Sequence, residues 1–341
     1  MVAALQRILI IQLRQLGDIL LTTPCVRELR RAYPDGRITF LCHSMGRLVL
    51  EENPFLDEQF YYDAGGAWYE WQVMRTLRER SFDLVFDFMS NPRSALYTLM
   101  TGAPRRVAFD TRRRFAATEI VSRSDESDYI VREKFRLLEA AGVAASDESL
   151  ALPWGEQHTR PLMELMGREA GFRAARWRVV LSPTHRREAR RWPIAAYAAI
   201  AERLYARGDT AIVWTWGPGE EAVIDAAVAL TQVPTIKAPK TGFRELAALI
   251  ANCDLFIGNS NGPSHVAVAT ATPSLQLHGP TQARAWCPLT PLHQAVSAPG
   301  GILAALGVDA VWDAVVAHAP VLEKSADARR QVGVRLKWTR T

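Results

Sequence analysis

The first half of the chain alternates short apolar segments, rich in β-branched residues, with longer segments in which apolar residues recur at helical spacing. This alternation is typical of βα units on a parallel sheet. The predicted strands are Arg7–Leu13, Arg37–His43, Glu58–Asp63, Phe82–Phe88 and Arg105–Phe109. Between the first two strands the pattern predicts an amphipathic helix over Asp18–Tyr33, which ends at the turn Pro34-Asp35-Gly36.

The periodic pattern fades over Thr111–Asp128, where a long loop is expected, and a helix is predicted over Glu126–Ala141. A second βα series then begins. Its predicted strands are Trp177–Ser182, Thr210–Trp216, Val233–Ile236, Asp254–Gly258 and Ser274–His278. Its predicted helices are Pro193–Ala206, Glu220–Leu230, Phe243–Ala251, Gly262–Thr270 and Val308–His318. The two series predict two α/β domains.

Composition agrees with two domains. With 341 residues and 48% hydrophobic content, the chain is long for one core and of natural length for two. It contains no run of about 18 uncharged apolar residues, and its first residues lack a secretory cleavage site, so a cytoplasmic protein is expected. Cys25, Cys42, Cys253 and Cys287 are too widely spaced to indicate a zinc site or a disulfide framework.

Positive charge is concentrated in short arginine clusters. The net charge is +5, and two clusters, Arg105-Arg106 and Arg112-Arg113-Arg114, lie in the first predicted domain. Such clusters are either a solvated surface or a binding site for an anionic partner. Nucleic acid is not expected as that partner, because the arginines are not interleaved with aromatic residues in a recognisable module.

The segment Leu13–Asp18 joins the first predicted strand to the first predicted helix. In open parallel sheets, ligands bind beyond the carboxyl ends of the strands, so this junction is a candidate site. It lacks the GxGxxG pattern of dinucleotide-binding proteins. Its Asp18 suits two roles: capping the N-terminus of the helix, or accepting a proton from a substrate.

Two junctions in the second half predict binding of a diphosphate. Thr184 follows the strand Trp177–Ser182, and Arg190 precedes a predicted helix. Arginine offers positive charge and forked donors to phosphate oxygens. The segment Gly258–His265 also joins a strand to a helix, whose unpaired N–H groups and dipole favour an anion. His265 is either a structural histidine or a ligand contact.

Two further strand ends extend the same rim. Thr281 follows the strand Ser274–His278. Glu220 follows the strand Thr210–Trp216, where a carboxylate can either hydrogen-bond the hydroxyls of a ribose or favour the first turn of the next helix. We therefore expect both residues near the diphosphate-binding junctions.

Five motifs carry a family resemblance. They are LRQLGDILLTTP, FDFMSNPRS, RRWP, WGPGEE and GNSNGPSHVAVATATPSLQLHGPT. In this collinear order, which spans nearly the whole chain, they resemble the ADP-heptose lipopolysaccharide heptosyltransferases, glycosyltransferase family 9. The resemblance implies a GT-B fold: two Rossmann-like α/β domains whose parallel sheets face a central cleft. It implies an acceptor domain over residues 1–165 and a nucleotide-sugar domain over 166–322, followed by a basic tail over 323–341.

The resemblance also implies roles for individual residues. Asp18 corresponds to the catalytic base, and Thr184 and Arg190 correspond to diphosphate contacts, although many relatives carry lysine at the Arg190 position. Glu220 corresponds to a ribose-binding carboxylate. The predicted donor-binding set comprises Thr184, Glu220, Ser260, Asn261, Gly262, Pro263, Ser264, His265 and Thr281.

The chain departs from the family pattern at one place. Ser260 stands where relatives usually carry an aspartate associated with the donor sugar, and Asn261 stands where they carry serine or threonine. The implied function is inverting transfer of a heptose or related sugar from an ADP-sugar to a lipopolysaccharide core acceptor. A transferase with a different nucleotide sugar, or a non-catalytic scaffold that binds glycolipid, would retain parts of the same pattern.

The implied reaction needs a base, attack from the face opposite the leaving group, and stabilisation of the departing diphosphate. Asp18, Arg190 and the helix that begins at Gly262 can supply the base and the stabilisation, so no metal and no cofactor are expected. The expected partners are the nucleotide sugar, a phosphorylated lipopolysaccharide core or lipid A acceptor, and peripherally the inner-membrane surface. Five arginines are expected to hold that acceptor: Arg105, Arg106, Arg112, Arg113 and Arg114.

Overall fold

A computed structural model describes residues 6–63, 65–124 and 128–332, with the side chains of 328–332 outside the description. The chain forms two compact units, Met1–Pro153 (unit 1) and Trp154–Thr341 (unit 2). The division falls earlier than the predicted boundary after residue 165. The reason is the helix Glu156–Met166, which packs against Phe243–Ala251 and so belongs to unit 2.

Unit 1 is a six-stranded parallel sheet flanked by helices, with the strand order β3-β2-β1-β4-β5-β6. The strands are β1 Arg7–Ile11, β2 Arg37–His43, β3 Glu58–Tyr62, β4 Leu84–Asp87, β5 Arg105–Phe109 and β6 Glu119–Val121. The helices are α1 Leu16–Leu20, α2 Thr23–Ala32, α3 Arg47–Leu50, α4 Ala67–Glu79, α5 Pro92–Thr101 and α6 Ile130–Ala140.

Unit 2 is a second six-stranded parallel sheet, with the order β12-β11-β10-β7-β8-β9. Its strands are β7 Trp177–Ser182, β8 Thr210–Trp214, β9 Ile236–Lys237, β10 Leu255–Asn259, β11 Ser274–His278 and β12 His293–Ser297. Its helices are α7 Glu156–Met166, α8 Ala170–Ala174, α9 Ile194–Ala206, α10 Glu221–Leu230, α11 Phe243–Ala251, α12 Gly262–Ala269, α13 Ala283–Trp286 and α14 Val308–Val332.

Central strands of both sheets lie in the core. Ile8–Ile11 of β1 and Phe256-Ile257 of β10 are fully buried, as expected of parallel strands covered by helices on both faces. All four cysteines are buried, and none forms a disulfide. Within the described ranges, no helix is both long and apolar enough to cross a membrane.

The helix predicted over Asp18–Tyr33 is two helices, α1 and α2. The chain breaks at Leu21-Thr22, where the Thr22 hydroxyl donates to the Asp18 carbonyl and Pro24 opens the next helix without a backbone N–H. Towards the C-terminus of the chain, α14 continues to Val332. The segment predicted as a basic tail is therefore helical up to that residue, and residues 333–341 lie outside the described part of the chain.

In both sheets, the direction in which successive strands are added reverses at the centre. In unit 1 the chain builds outward from β1 through β2 to β3, then returns to the other side of β1 with β4. In unit 2 the same reversal places β10 beside β7. Crevices beyond the carboxyl ends of strands at such switch points are where open α/β sheets bind ligands.

Candidate functional site

The predicted donor-binding residues of unit 2 lie at one edge of its sheet. They follow four adjacent strands, β8, β7, β10 and β11, at their carboxyl ends. Thr184 and Arg190 follow β7, and Ser260–His265 follows β10, so these two loops flank the switch point. Glu220 follows β8 and Thr281 follows β11, the strands on either side of β7 and β10. The structure thus brings the whole predicted set to one edge.

Two asparagines tie the β7 and β10 loops together. The buried Asn259 donates from Nδ2 to the carbonyl of Pro183 at 2.8 Å, while its Oδ1 accepts from the backbone N–H of Trp192 and the hydroxyl of Tyr197, both at 3.1 Å. Asn261 donates from Nδ2 to the Thr184 carbonyl at 2.8 Å. The asparagines therefore fix the segments on both sides of Arg190.

The N-terminus of α12 is partly satisfied by its own residues. Asn261 caps the helix, because its side chain accepts the N–H of Ser264 while the Ser264 hydroxyl donates to the Asn261 carbonyl at 2.7 Å. Pro263 has no N–H. The N–H of Gly262 and the positive end of the dipole are thus what the helix offers to an anion.

Arg190 lies close to other arginines, Arg187 and Arg191. It ends a short 3-10 helix, Glu188–Arg190, and is half-buried. Burial and the neighbouring Arg187 lower the pKa of Arg190. No described carboxylate forms an ion pair with it. His185 lies among the same cations, and its pKa is lowered by burial and by Arg190, Arg187 and Arg191. This concentration of positive charge favours an anionic ligand.

His265 lies inside unit 2, with 4% of its surface exposed. Burial, reinforced by His278, lowers the pKa of His265 to about 3, and burial lowers that of His278 to about 4. Both imidazoles are therefore neutral near pH 7. Thr281 lies 3.4 Å from His278 Nδ1, so its hydroxyl is linked to this buried pair. Gln276, on the same face of β11 as His278, is also fully buried.

The two remaining donor-site predictions have different surroundings. Glu220 accepts the N–H of Gly217 at 2.9 Å through Oε2, so one of its carboxylate oxygens closes the turn before α10. Ser260 is half-buried, and its hydroxyl forms no hydrogen bond with the described residues. Its backbone N–H is paired with the Leu277 carbonyl, which fixes the position of the residue.

In unit 1, Asp18 follows the switch-point strand β1. It occupies the third position of α1, and the N-cap is Gln15. Asp18 is therefore not the N-cap residue, but it takes part in capping α1 through a capping box: its Oδ2 accepts the Gln15 N–H at 3.2 Å. Oδ1 has no partner in the described part of the chain. One oxygen of a half-buried carboxylate is thus available to a substrate.

Lys134 is a buried cation near this loop that the motif analysis missed. It lies on α6, is 3% exposed, and donates from Nζ to Gln12 Oε1 at 2.7 Å and to Thr22 Oγ1 at 2.8 Å. Helical periodicity could have found it. Lys134 falls in the apolar stripe with Val131, Phe135 and Leu138, where a lysine is out of place.

The five predicted acceptor arginines separate into two sets. Arg105 and Arg106 begin β5, so they lie at the amino edge of the sheet, opposite the edge that carries Asp18. Arg105 pairs with Glu119 at 2.8 Å, and Arg106 donates to the carbonyls of Ala103 and Ala116. These contacts give both residues a structural role within unit 1, and their assignment to the acceptor site stays a prediction.

The other set lies on the expected edge. Arg112–Arg114 follow the carboxyl end of β5, which is separated from β1 by one strand, or about 10 Å. No acidic side chain of the described chain pairs with them. The adjacent Phe115 is 68% exposed, as is Trp68, which stacks on Trp71 at the start of α4.

Among the described residues, neither a metal site nor the cavity found in unit 2 coincides with these loops. Across residues 6–63, 65–124 and 128–332, no three His, Cys, Asp or Glu side chains are placed to hold a metal ion. A cavity in unit 2 is lined by Trp177, Thr210 and Leu255, which begin their strands. It therefore lies at the amino edge, away from the donor-site loops.

Comparisons with known proteins connect this arrangement to one family. Residues 70–304 match the family model described as glycosyltransferase family 9 (heptosyltransferase). Lipopolysaccharide heptosyltransferase 3 of Escherichia coli is 28% identical over 289 residues, covering 80% of this chain and 83% of that protein.

Two solved structures share the fold. The family 9 glycosyl transferase of Veillonella parvula has a TM-score of 0.79 and 22% identity, covering 93% of this chain and 97% of that one. The ADP-heptose lipopolysaccharide heptosyltransferase II of Escherichia coli has a TM-score of 0.74 and 21% identity, covering 94% and 99%. The predicted fold class, two Rossmann-like α/β domains with parallel sheets, is confirmed.

Proposed function

The chain belongs to glycosyltransferase family 9, as its five motifs predicted, and we propose that it transfers a heptose from ADP-heptose to a lipopolysaccharide core acceptor with inversion. The observation that carries this proposal is the gathering of the family motifs at the carboxyl edges of the two sheets, at their switch points and the strands next to them, where open α/β sheets bind ligands. Unit 1 would bind the acceptor and unit 2 the nucleotide sugar.

In the proposed reaction, Asp18 acts as the general base. Its free Oδ1 takes the proton of the acceptor hydroxyl while that oxygen attacks the anomeric carbon of the donor. The bond from that carbon to the diphosphate breaks, and the nucleoside diphosphate leaves. The contact from Oδ2 to the Gln15 N–H supports this role, because it holds the carboxylate in one orientation.

The departing diphosphate gains negative charge, and unit 2 supplies donors for it. Arg190 has no carboxylate partner in the described part of the chain, so its guanidinium is available. Gly262 adds its N–H at the start of α12, and Thr184 is fixed beside them through Asn261. Glu220 has its second carboxylate oxygen available for the ribose.

We propose that these groups replace a divalent ion in stabilising the leaving group. Arg190→Ala should then lose about 2–4 kcal/mol of transition-state stabilisation, as when one preorganised donor is removed. Added Mg²⁺ should not restore turnover. A wild-type enzyme that stops working in EDTA and recovers with Mg²⁺ would contradict the metal-free assignment.

A second candidate function is transfer from a different nucleotide sugar, and Ser260 favours it. A serine hydroxyl is shorter than aspartate and neutral, so it binds sugar hydroxyls less strongly. Asn259 cannot take over the contact, because its side chain is buried and already makes three hydrogen bonds within the protein. The donor pocket would therefore select its sugar differently from relatives with the aspartate.

We further propose that the acceptor's phosphates and the anionic membrane around it meet the carboxyl edge of unit 1. The support is the charge of Arg112–Arg114, which pairs with no acidic side chain among the described residues, next to the exposed Phe115, with the stacked Trp68–Trp71 pair following β3 at the same edge. Cations attract anionic lipids, and aromatic rings favour the membrane interface. The association would be peripheral.

One assay tests the proposed function. Purified protein is incubated with ADP-heptose and a truncated, phosphorylated core acceptor. The mass of the acceptor is then measured by mass spectrometry. We expect a mass increase of one heptose. Product with another ADP- or UDP-sugar, but none with ADP-heptose, would establish the second candidate instead. Acceptor binding without product from any donor would identify a non-catalytic glycolipid-binding scaffold.

A further inference from the structure

We infer that Lys134 is a positioning residue for Asp18: its buried ammonium group holds the backbone on both sides of Asp18 and supplies positive charge to that carboxylate. The inference rests on the proposed role of Asp18 as the base. It concerns a side chain on α6, far in sequence from the loop that it supports.

Hydrogen bonds connect the ammonium group to both ends of the loop. Lys134 Nζ donates to Gln12 Oε1, and Gln12 Nε2 donates to the Arg14 carbonyl at 2.6 Å. Lys134 Nζ also donates to Thr22 Oγ1, and that hydroxyl donates to the Asp18 carbonyl at 2.7 Å. One cation therefore restrains the chain before Asp18 and the carbonyl of Asp18 itself.

Burial makes this cation costly. No described carboxylate forms a salt bridge with Lys134, and its third neighbour is the Phe88 ring, 5.1 Å from Nζ. Placing a charge out of water without an ion-pair partner costs several kcal/mol. A methionine of similar volume would avoid that cost, so the stability of unit 1 alone does not explain the lysine.

The charges that face Lys134 leave Asp18 as its anionic neighbour. Burial lowers the pKa of Lys134 to about 8, and the Asp18 carboxylate opposes that shift. Cys25 on α2 also faces the ammonium, but burial raises the pKa of its thiol to about 12, so it is neutral near pH 7. Arg123, which precedes α6, adds positive charge.

One effect on the reaction follows. The hydrogen-bond chain fixes the direction in which Asp18 meets the acceptor hydroxyl, and a misplaced base is a poor base. The positive charge attracts the carboxylate and adds to this restraint. Removing the ammonium group should therefore lower turnover without weakening the binding of the donor.

The experiment compares three variants with wild type, using ADP-heptose and the phosphorylated core acceptor. For Lys134→Met we expect kcat to fall by roughly 10–100-fold, with the donor KM unchanged. For Thr22→Val, which retains the charge but removes the hydroxyl that links Nζ to the Asp18 carbonyl, kcat should also fall, and the donor KM should again be unchanged. Arg136→Met, the same type of change on the same helix at a side chain without described partners, should behave as wild type.

Double variants separate the two proposals. In an Asp18→Asn background, Lys134→Met should add no further loss, because it acts through the missing carboxylate. Wild-type kcat in Lys134→Met, alongside an inactive Asp18→Asn, would overturn this inference and leave the base role intact. Full activity of Asp18→Asn would overturn the base role itself. If Lys134→Met does not fold, an unchanged kcat in Thr22→Val would overturn the positioning role.

Discussion

A single carboxylate, Asp18, closes the first turn of α1 with one oxygen, and its other oxygen has no partner in the described part of the chain. Asparagine at this position retains an oxygen that can accept the Gln15 N–H, but it cannot take a proton. For Asp18→Asn we therefore expect kcat to fall by roughly 10²–10⁴, while the free energy of unfolding changes by less than about 1 kcal/mol. Steady-state kinetics and urea unfolding measure the two quantities.

The outcome of Asp18→Asn has a clear alternative. A variant that unfolds more easily but retains the wild-type kcat would show that the carboxylate serves α1 alone. Asp18→Ala is a useful companion, because it removes both the proton acceptor and the contact with Gln15, and it should lose stability as well as turnover.

Ser260 is the residue at which donor choice is expected to be decided. Its hydroxyl has no partner in the described part of the chain, and its backbone is fixed by Leu277. Ser260→Asp should raise kcat/KM for ADP-heptose by roughly 5–10-fold, since a hydrogen bond to a charged group contributes about 1.5–3 kcal/mol, against about 0.5–1.5 kcal/mol for a neutral one. Ratios of kcat/KM across a panel of ADP- and UDP-sugars test this expectation. No gain in the variant, with efficient use of ADP-heptose by the wild type, would rule out altered specificity.

At the scale of elements, the capping box of α12 holds the donor loops together. Asn261→Ala removes the cap of α12 and the bond to the Thr184 carbonyl. We expect a stability loss of about 1 kcal/mol and weaker binding of ADP, measured by calorimetric titration. Unit 1 offers a matched control: Asn91 caps α5 through the same box with Ser94. Asn91→Ala should lose similar stability without affecting ADP binding, and equal ADP affinities in the two variants would contradict the role of Asn261.

The loop after β5 is expected to hold the acceptor. Replacing Arg112–Arg114 together by glutamine should raise the acceptor KM by roughly 10–100-fold, and should reduce sedimentation with vesicles containing phosphatidylglycerol. The donor KM should not change. The difference should shrink at high salt, because exposed charges are screened. Arg106→Gln, at the opposite edge, is the control. An acceptor KM that is the same in both variants at low salt would remove the proposed role.

The sequence predicted the central strands of both sheets well, because buried parallel strands read as short apolar runs. The edge strands β6 and β12 were missed, since they are partly exposed and carry polar residues such as Glu119 and Gln294. The site loops could be located because they follow predicted strands. Lys134 could not be assigned to the site, since its two partners lie 112 and 122 residues away along the chain.

For the whole molecule, the two units should respond to pH in different ranges. In unit 2, the pKa values of His265 and His278 are about 3 and about 4, against 6.5 in the unfolded chain. Between these values the unfolded chain holds more protons, so the free energy of unfolding of unit 2 should fall as the pH drops below about 6.5. By pH 5, each histidine should account for a decrease of order 1–2 kcal/mol in the free energy of unfolding of unit 2. His278→Gln, which cannot be protonated, should weaken this dependence.

In unit 1 the corresponding range is alkaline. The pKa of Lys134 is lowered to about 8 in the folded chain, against 10.5 in the unfolded chain. The unfolded chain therefore holds one more proton between these pH values, and stability should rise with pH across that range. Lys134→Met should be at least as stable as wild type at pH 7 and should lose this rise.

Tryptophan emission can report on unit 2 separately. Trp192 and Trp214 are fully buried there, whereas Trp68 and Trp71 of unit 1 are exposed. Urea unfolding followed by this emission at pH 5 and pH 7.5 tests the acid prediction, and calorimetry at pH 7.5 and pH 9.5 tests the alkaline one. Equal urea midpoints at pH 5 and pH 7.5 would contradict the assignment of neutral buried histidines.

The two sheets share one strand order. Read outward from β9, unit 2 runs β9-β8-β7-β10-β11-β12, which repeats β3-β2-β1-β4-β5-β6 of unit 1, and in both units an asparagine-capped helix follows the fourth strand. This is the arrangement that duplication of one ancestral half-molecule would leave. Donor selection and acceptor selection would then have evolved separately, each on its own copy of the same fold. Chimaeras joined at Pro153-Trp154 should accordingly exchange one specificity while retaining the other.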